Sequence, residues 1–381
     1  MEGVFIAGGL RTFIGAKGKA YRTVPAETLA SPVLRALHEQ NSAHGIETDL
    51  VISGNCVAGG GNIARLALLS AGLPDSVPGI SVDSQCSSAL ESVIAAYARV
   101  RAGLNTAVIA GGTESTSTQC VRAWNENHPN WARAEQKTYS AAQFIPSALG
   151  DNAMLLGADE TCRRNGIANG DMIPHIITSH RNAARAREGG VLSSLVLPAF
   201  GAEKDEGMKP ALPEPLLSRL PPVLPGGVIT SASSSRLSDG AAFVTVLSEE
   251  NARKRAELPL FRIVSAVTVG SCGETSPESL LVALRALFRK SGIPPGRIDR
   301  IDYNEAFACL DVLYARNFGN PSNRFGGALA YGHPYGAAGA VVLLHLMKAM
   351  ELERERYGIA AVPAAGAVAS AILIENMSHG T

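Results

Sequence analysis

Short apolar strands alternate with helical stretches over the first 118 or so residues, stop, and resume at about residue 260. The first set reads as strands at Val4–Ala7, Leu50–Ser53, Gly79–Val82 and Ala107–Gly111, with helices near Ala26–Glu39, Asn62–Ala71 and Ser87–Arg101. The second reads as strands at Phe261–Val269, Arg300–Tyr303, Ile359–Pro363 and Val368–Ile374, with helices at Pro277–Ser291, Glu305–Phe318 and Gly336–Glu351. Strands apolar on both faces belong in a sheet covered by helices on both sides. The repetition therefore predicts an α/β protein made of two similar halves that face each other, residues 1–118 and 241–381.

The text between them, residues 119–240, is different: Trp124 and Trp131, many Arg and Ala, then Pro210, Pro213, Pro215, Pro221, Pro222 and Pro225. It reads as an inserted, mostly helical and loop region whose tryptophans have an ordinary packing role. Lys plus Arg equals Asp plus Glu, 34 each, so no field of one sign recruits nucleic acid or an anionic membrane. No run of about 18 apolar residues stands out, and Met1–Ile6 leads directly into a strand, so a cytosolic enzyme is expected. The ending Ser378-His379-Gly380-Thr381 is not a peroxisomal address.

Six cysteines (56, 86, 120, 162, 272 and 309) lie scattered, with neither zinc-ligand spacing nor a disulfide framework. Five read as small apolar filler. Cys86 differs, because Val82-Asp83-Ser84-Gln85-Cys86-Ser87-Ser88 places it where a strand turns into a helix. The positive end of that helix favours a thiolate, so its pKa is expected to fall below that of a free cysteine. His333 sits in Gly326–Ala340 among five glycines, which let backbone approach a ligand closely. The other histidines, 38, 44, 128, 175, 180, 345 and 379, read as ordinary surface or core residues. Asn304 opens Asn304-Glu305-Ala306-Phe307-Ala308 and reads as the start of a helix, where Asn is a favoured cap. A Cys, a His and an Asn are the parts needed to activate a thiol and hold an acyl oxygen. Gly59-Gly60-Gly61 lacks the context of a phosphate cradle and reads as a loop.

These segments, in this order, resemble the thiolase family within the thiolase and ketoacyl synthase superfamily. Ala7-Gly8-Gly9-Leu10-Arg11-Thr12, Gly111-Gly112-Thr113-Glu114-Ser115, Gly227-Val228-Ile229-Thr230 and Ser233–Ala242 extend the likeness nearly end to end. The resemblance implies an αβαβα layered core of two mixed-sheet halves, with the insertion covering the active site. It implies Cys86 as nucleophile toward an acyl-CoA or acyl-carrier thioester, with His333 and Asn304 as catalytic partners. It also implies oxyanion donors at Cys86, Ala365, His333 and Asn304, and substrate contacts at Ser235, Gly332 and Cys272. No cofactor or metal is implied beyond the coenzyme A thioester itself, and a homodimer or homotetramer is.

The pattern breaks once. Thiolases carry a second cysteine between the last two strands, and here Ala360–Ala369 puts Pro363 at that place. Proline cannot titrate, so the group that would deprotonate a second thioester is absent from it. Decarboxylation, as in ketoacyl synthases, an already nucleophilic acceptor, or a deputy such as Cys272 would each answer this. Cys309 is expected to pack in the core. The leading expectation is an acyltransferase of class EC 2.3.1 that passes the acyl group to a carbon nucleophile. Decarboxylating condensation, a non-carbon acceptor and a catalytically impaired acyl-CoA-binding partner are the alternatives.

Overall fold

The computed structural model describes residues 3–378 apart from 135, 141, 147–151, 210, 211, 256 and 258, so Pro210 and His379 lie outside it. In chain order the main elements are β1 (Val4–Arg11), α1 (Ala26–Ala43), β2 (Leu50–Gly54), α2 (Ile63–Ser70), β3 (Gly79–Val82), α3 (Ser88–Arg101) and β4 (Ala107–Ser115). Then come α4 (Ala153–Asn165), α5 (Asn169–Glu188), β5 (Ser238–Ser248), β6 (Leu260–Gly270), α6 (Ser279–Ser291), β7 (Arg300–Tyr303) and α7 (Cys309–Asn317). The chain closes with α8 (Ala328–Tyr331), α9 (Ala338–Glu353), β8 (Tyr357–Pro363) and β9 (Val368–Asn376).

The two halves are copies in topology. In the first, β5 runs antiparallel to β1 and β4, and β2 lies parallel to β4 and β3. In the second, β9 runs antiparallel to β6 and β8, and β7 lies parallel to β8. They join edge to edge where Phe5, Ile6 and Ala7 of β1 pair with Arg262, Phe261 and Leu260 of β6. Helices α3 and α9 pack on each other in the middle layer, while α1 and α2 cover the first sheet outside and α6 the second. This is the five-layer αβαβα arrangement of the thiolase fold.

The middle layer explains why these two helices bury so many apolar side chains. Leu90 and Val93 of α3 share one cluster with Leu343, Leu344 and Met347 of α9, the first four fully buried. Each such leucine contributes roughly 2 kcal/mol by removal from water. The stretch Tyr335–Glu353 has the length and hydropathy of a membrane span, yet 72% of it is buried inside the fold, where it is the core helix α9.

Two expectations change. Strand β5, with Ser238-Asp239-Gly240-Ala241-Ala242 at its head, was not expected, and it fills the middle of the first sheet between β1 and β4. The helix expected from Glu305 starts at Cys309 with Ala308 as its cap residue, because residues 304–308 are tied to the serine loop instead. The Ser235 amide donates to the Ala306 carbonyl at 2.9 Å, and that of Ala308 to the Ser233 carbonyl at 2.9 Å. Asn304 is therefore not a helix cap, and its side chain is free for other use.

The halves also meet at glycine. A Cβ on Gly112 of β4 would lie 1.8 Å from the Gly336 carbonyl oxygen, and one on Gly54 of β2 would lie 2.6 Å from it. Both clashes are with backbone, which cannot swing aside. Gly112→Ala is expected to lower stability by about 3 kcal/mol, seen as a drop in thermal unfolding temperature, whereas alanine at Gly170, in the first turn of α5 with open space around it, stays within about 1 kcal/mol of the parent.

Candidate active site

Cys86 stands on a tight turn between β3 and α3. Gln85 before it has φ of +55°, a left-handed conformation that a non-glycine residue adopts only when held there. The holding groups are visible. Asp83 Oδ1 accepts from the Gln85 amide at 2.9 Å. The Gln85 carbonyl accepts from Ser88 Oγ at 2.6 Å and from Cys56 Sγ at 3.0 Å. The turn aims the Cys86 sulfur at the Ala365 amide, which hydrogen-bonds to it together with the amide of Cys86 itself. Gly366 and Ala367 adopt left-handed φ of +78° and +57°, so the 365–367 turn is shaped to present that amide.

The histidine comes from the opposite half. His333 lies between α8 and α9 and is 3% exposed. Its amide donates to the Arg236 carbonyl at 2.8 Å, so the serine loop that holds Asn304 also holds His333. Asn304 Nδ2 stands 3.3 Å from His333 Nε2, and Nδ1 of the ring has no partner. With Nε2 accepting from Asn304, the neutral ring carries its proton on Nδ1. Tyr335 stands edge-on to the imidazole at 4.9 Å between ring centroids.

Burial sets the charges. It pushes the Cys86 thiol up to about 12, against the pull of the Ala365 and Cys86 amides, and nearby Glu114 and Asp83 push the same way. Burial pushes His333 down to about 3. The expectation of an acidified Cys86 fails for this reason: desolvation in the enclosed site outweighs the helix end. At neutral pH the resting pair is thiol and imidazole, not thiolate and imidazolium.

Comparison with known proteins decides the lineage. The sequence matches the family described as thiolase, N-terminal domain, over residues 4–250 and thiolase, C-terminal domain, over residues 258–376. The chain belongs to the thiolase family. Among its relatives is YhfS of Bacillus subtilis, named as a candidate acetyl-CoA C-acetyltransferase, 34% identical over 96% of this chain and 97% of its own. VraB of Staphylococcus aureus, named likewise, is 32% identical over 93% and 94%. The crystal structure of the Bacillus anthracis acetyl-CoA acetyltransferase superposes with a TM-score of 0.90 at 26% identity, covering 99% of both chains. That of human mitochondrial 3-ketoacyl-CoA thiolase gives 0.87 at 24% identity over the same share and shows the fold.

In this thiolase the other expected site residues fall in different places. Ser235 is half-buried in the serine loop beside Asn304 and His333. Gly332 has φ of +103° and would put a Cβ 2.0 Å from Ser238 Oγ, so it serves as the backbone pivot before the histidine. Cys272 is exposed, and its sulfur takes hydrogen bonds from the Glu274 and Thr275 amides and from Arg164, which lower its pKa. Among the described residues no hydrogen bond joins it to Cys86. Cys309 is fully buried against Cys162. Pro363 is buried at the end of β8, paired with Ala369.

Three features escaped the sequence reading. His180, Lys209 and Arg236 line a cavity of about 280 Å³ walled by Leu212, Leu216, Leu217, Leu220 and Leu329 and floored by Ser231 and Ser234 of the serine loop. His180 is pushed down to about 4 by burial and by the two cations. Glu114 and Cys56 pack under the nucleophile turn. The motif around Glu114 was visible, but nothing in its spacing tells which distant amides it meets.

Alkylation by iodoacetamide with peptide mapping checks the charge state. Cys272 is expected to react well before Cys86, whose rate is still climbing from about pH 8 to about pH 10 where a free thiol levels off near 8.5. The raised folded pKa has a second consequence. Folded Cys86 keeps a proton that the unfolded chain has lost, so this thiol's contribution to stability falls as pH rises above the unfolded value.

Proposed function

We propose that Cys86 of this thiolase takes an acyl group from an acyl-CoA thioester and passes it to a carbon nucleophile. Two observations support this reading: the Ala365 amide faces the Cys86 sulfur, and His333 pairs with Asn304 on the loop whose Gly336 carbonyl reaches the ends of β2 and β4, next to the helix that follows Cys86. The relatives' name, acetyl-CoA C-acetyltransferase, supports an acetyl group as the simplest acyl.

The chemistry follows from a neutral pair. As sulfur attacks the thioester carbonyl, its proton passes to His333 Nε2, and the carbonyl oxygen becomes an oxyanion. Amides of Cys86 and Ala365, or the Asn304 amide with the ring, offset that charge where no water competes. The carbon–sulfur bond to coenzyme A then breaks, His333 returns the proton to the departing thiolate, and a Cys86 thioester remains. One thioester replaces another, so little driving force is needed.

The cavity beside the serine loop suits the other end of the substrate. Lys209, Arg236 and His180 present positive or donor groups for phosphate, and the leucines receive apolar portions of the carrier. Ser235 stands in the chain between two residues of its lining, Ser234 and Arg236, and its amide donates to the Ala306 carbonyl two residues past Asn304. The inserted segment, residues 119–240, supplies most of that wall, and Phe144 and Ile145 of it rest on Gly366 and Gly273 beside the reacting groups.

Pro363 bears on the second half-reaction. With no titratable side chain at the place expected for the second cysteine, deprotonation of an unactivated thioester has no thiol base there. We therefore place decarboxylative supply of the carbanion, or a ready nucleophile as acceptor, ahead of reversible condensation of two acetyl-CoA. The enzyme is placed in the cytosol, a setting that fits its free cysteines. It pairs as a homodimer through the β3 edge, where Ile80 of the strand and Leu66 and Leu69 of α2 are exposed.

Intact mass after mixing with acetyl-CoA is expected to show an acetyl adduct that vanishes in Cys86→Ser. Absence of adduct with any short acyl-CoA would instead make the chain a binding partner. Asn304→Ala should lower turnover about a hundredfold, about 3 kcal/mol of transition-state stabilisation, with unfolding temperature unchanged. Malonyl-CoA as second substrate is expected to outpace acetyl-CoA by at least about tenfold. Equal rates would show that Pro363 is no obstacle.

A further inference from the structure

We infer that Glu114 is a positioning residue that fixes the nucleophile turn and the histidine loop relative to each other. Its carboxylate sits at the end of β4 with no exposed surface. Oε1 accepts from Asn55 Nδ2 at 2.8 Å and from the Val57 amide at 3.2 Å. Oε2 accepts from the Cys56 amide at 3.0 Å and, across 222 residues of chain, from the Gly336 amide at 2.9 Å.

Each of these bonds leads toward the reacting pair. Cys56, gripped by its amide, sends its thiol to the Gln85 carbonyl, the group that must stay in place for Gln85 to hold its left-handed turn before Cys86. Gly336 lies three residues after His333 and is wedged against the Asn55 backbone, where a Cβ would meet Cα at 2.7 Å. One carboxylate thus touches the support of the sulfur on one oxygen and the support of the imidazole on the same oxygen. Without it the Gly336 amide loses its acceptor in a buried place, and the loop must shift to find another.

Burial raises the Glu114 pKa to about 7 even with several amides holding it down. An acid kept in so dry a place, where its charge also makes Cys86 harder to ionise, opposes the chemistry if charge alone is counted. Its geometric service answers that objection, and the two roles differ in sign. Charge removal by itself would speed reaction of Cys86, whereas loss of position would uncouple it from His333.

A double-mutant cycle separates them, with alkylation of Cys86 by iodoacetamide at pH 7 as the readout. In that reaction the sulfur bonds to carbon, iodide leaves, and the imidazole takes the proton. The inference rests on the Cys86–His333 pairing proposed above but needs no acyl-CoA, so a protein that fails to accept acetyl leaves this measurement intact. His333→Ala is expected to slow alkylation about tenfold in the parent and less than about twofold in the Glu114→Gln background. Glu114→Asp keeps the charge but is one methylene too short to span both loops, and it should behave as Glu114→Gln does. Circular dichroism and thermal unfolding identify whichever variant is folded, and either alone completes the cycle. An equal factor in both backgrounds, including no effect in either, overturns the inference.

Discussion

The catalytic arrangement depends on one close crossing of backbone. The carbonyl of Gly336 lies between the ends of β2 and β4, at a distance that only glycine at positions 54 and 112 permits. Gly339, one turn later, meets the first turn of α3 at Leu90 in the same way. Side chains at these points would hold the halves apart by the thickness of a methyl group or more. Because they are absent, a loop from the second half reaches the strand ends of the first, and His333 arrives beside the helix that begins after Cys86. The glycine density around His333 is therefore a packing requirement between the halves as much as room for a substrate.

The same closeness decides the charges. A helix end stabilises an anion by at most about 2 kcal/mol, and usually less. The shift of Cys86 from its ordinary 9 to about 12 corresponds to roughly 4 kcal/mol in the other direction. Burial wins, and it also depresses His333, so each member is stored in its neutral form. On the proposed reading, attack and proton transfer occur together when a carbonyl enters, since the developing negative charge moves to an oxygen that has amide donors around it. Exposed Cys272 shows the converse: hydrogen bonds from Glu274, Thr275 and Arg164 lower its pKa because desolvation there is too small to outweigh them.

What the sequence revealed follows from these forces. Periodicity disclosed the doubled core because buried parallel strands are continuous apolar runs, and unusual local settings singled out Cys86, Asn304 and His333 as candidates, of which Asn304 and His333 lie together. Strand β5 was hidden since its head, Ser238-Asp239-Gly240-Ala241-Ala242, has the small residues of a loop; they are needed where β1 and β4 close on it from both sides. The helix after Asn304 was drawn four residues too early because its lead-in is fixed by the serine loop some 70 residues earlier, not by local propensity. Glu114 and the Lys209–Arg236 pair were illegible for a similar reason: their partners lie far away in sequence, and no local spacing encodes them.

Pro363 bears on the proposed chemistry through its place in the fold. It occupies the last rung of β8, facing Ala369, just beyond the point where Asn304 takes over from β7 by donating its amide to the Ala361 carbonyl at 3.1 Å. A proline lacks an amide to give, and at a strand end that loss costs little. The turn that follows is closed by other residues: the Ala364 amide donates to the Val368 carbonyl at 2.7 Å, and Ala367 receives Ser271 from β6's end while giving its own amide to Ser276 Oγ. The Ala365 amide is thus held toward Cys86 by a frame in which position 363 supplies only backbone. The amide at 365 and the side chain at 363 are mechanically independent, so under the proposed reading the absence of an acid–base side chain at 363 leaves the geometry for acyl transfer to Cys86 intact.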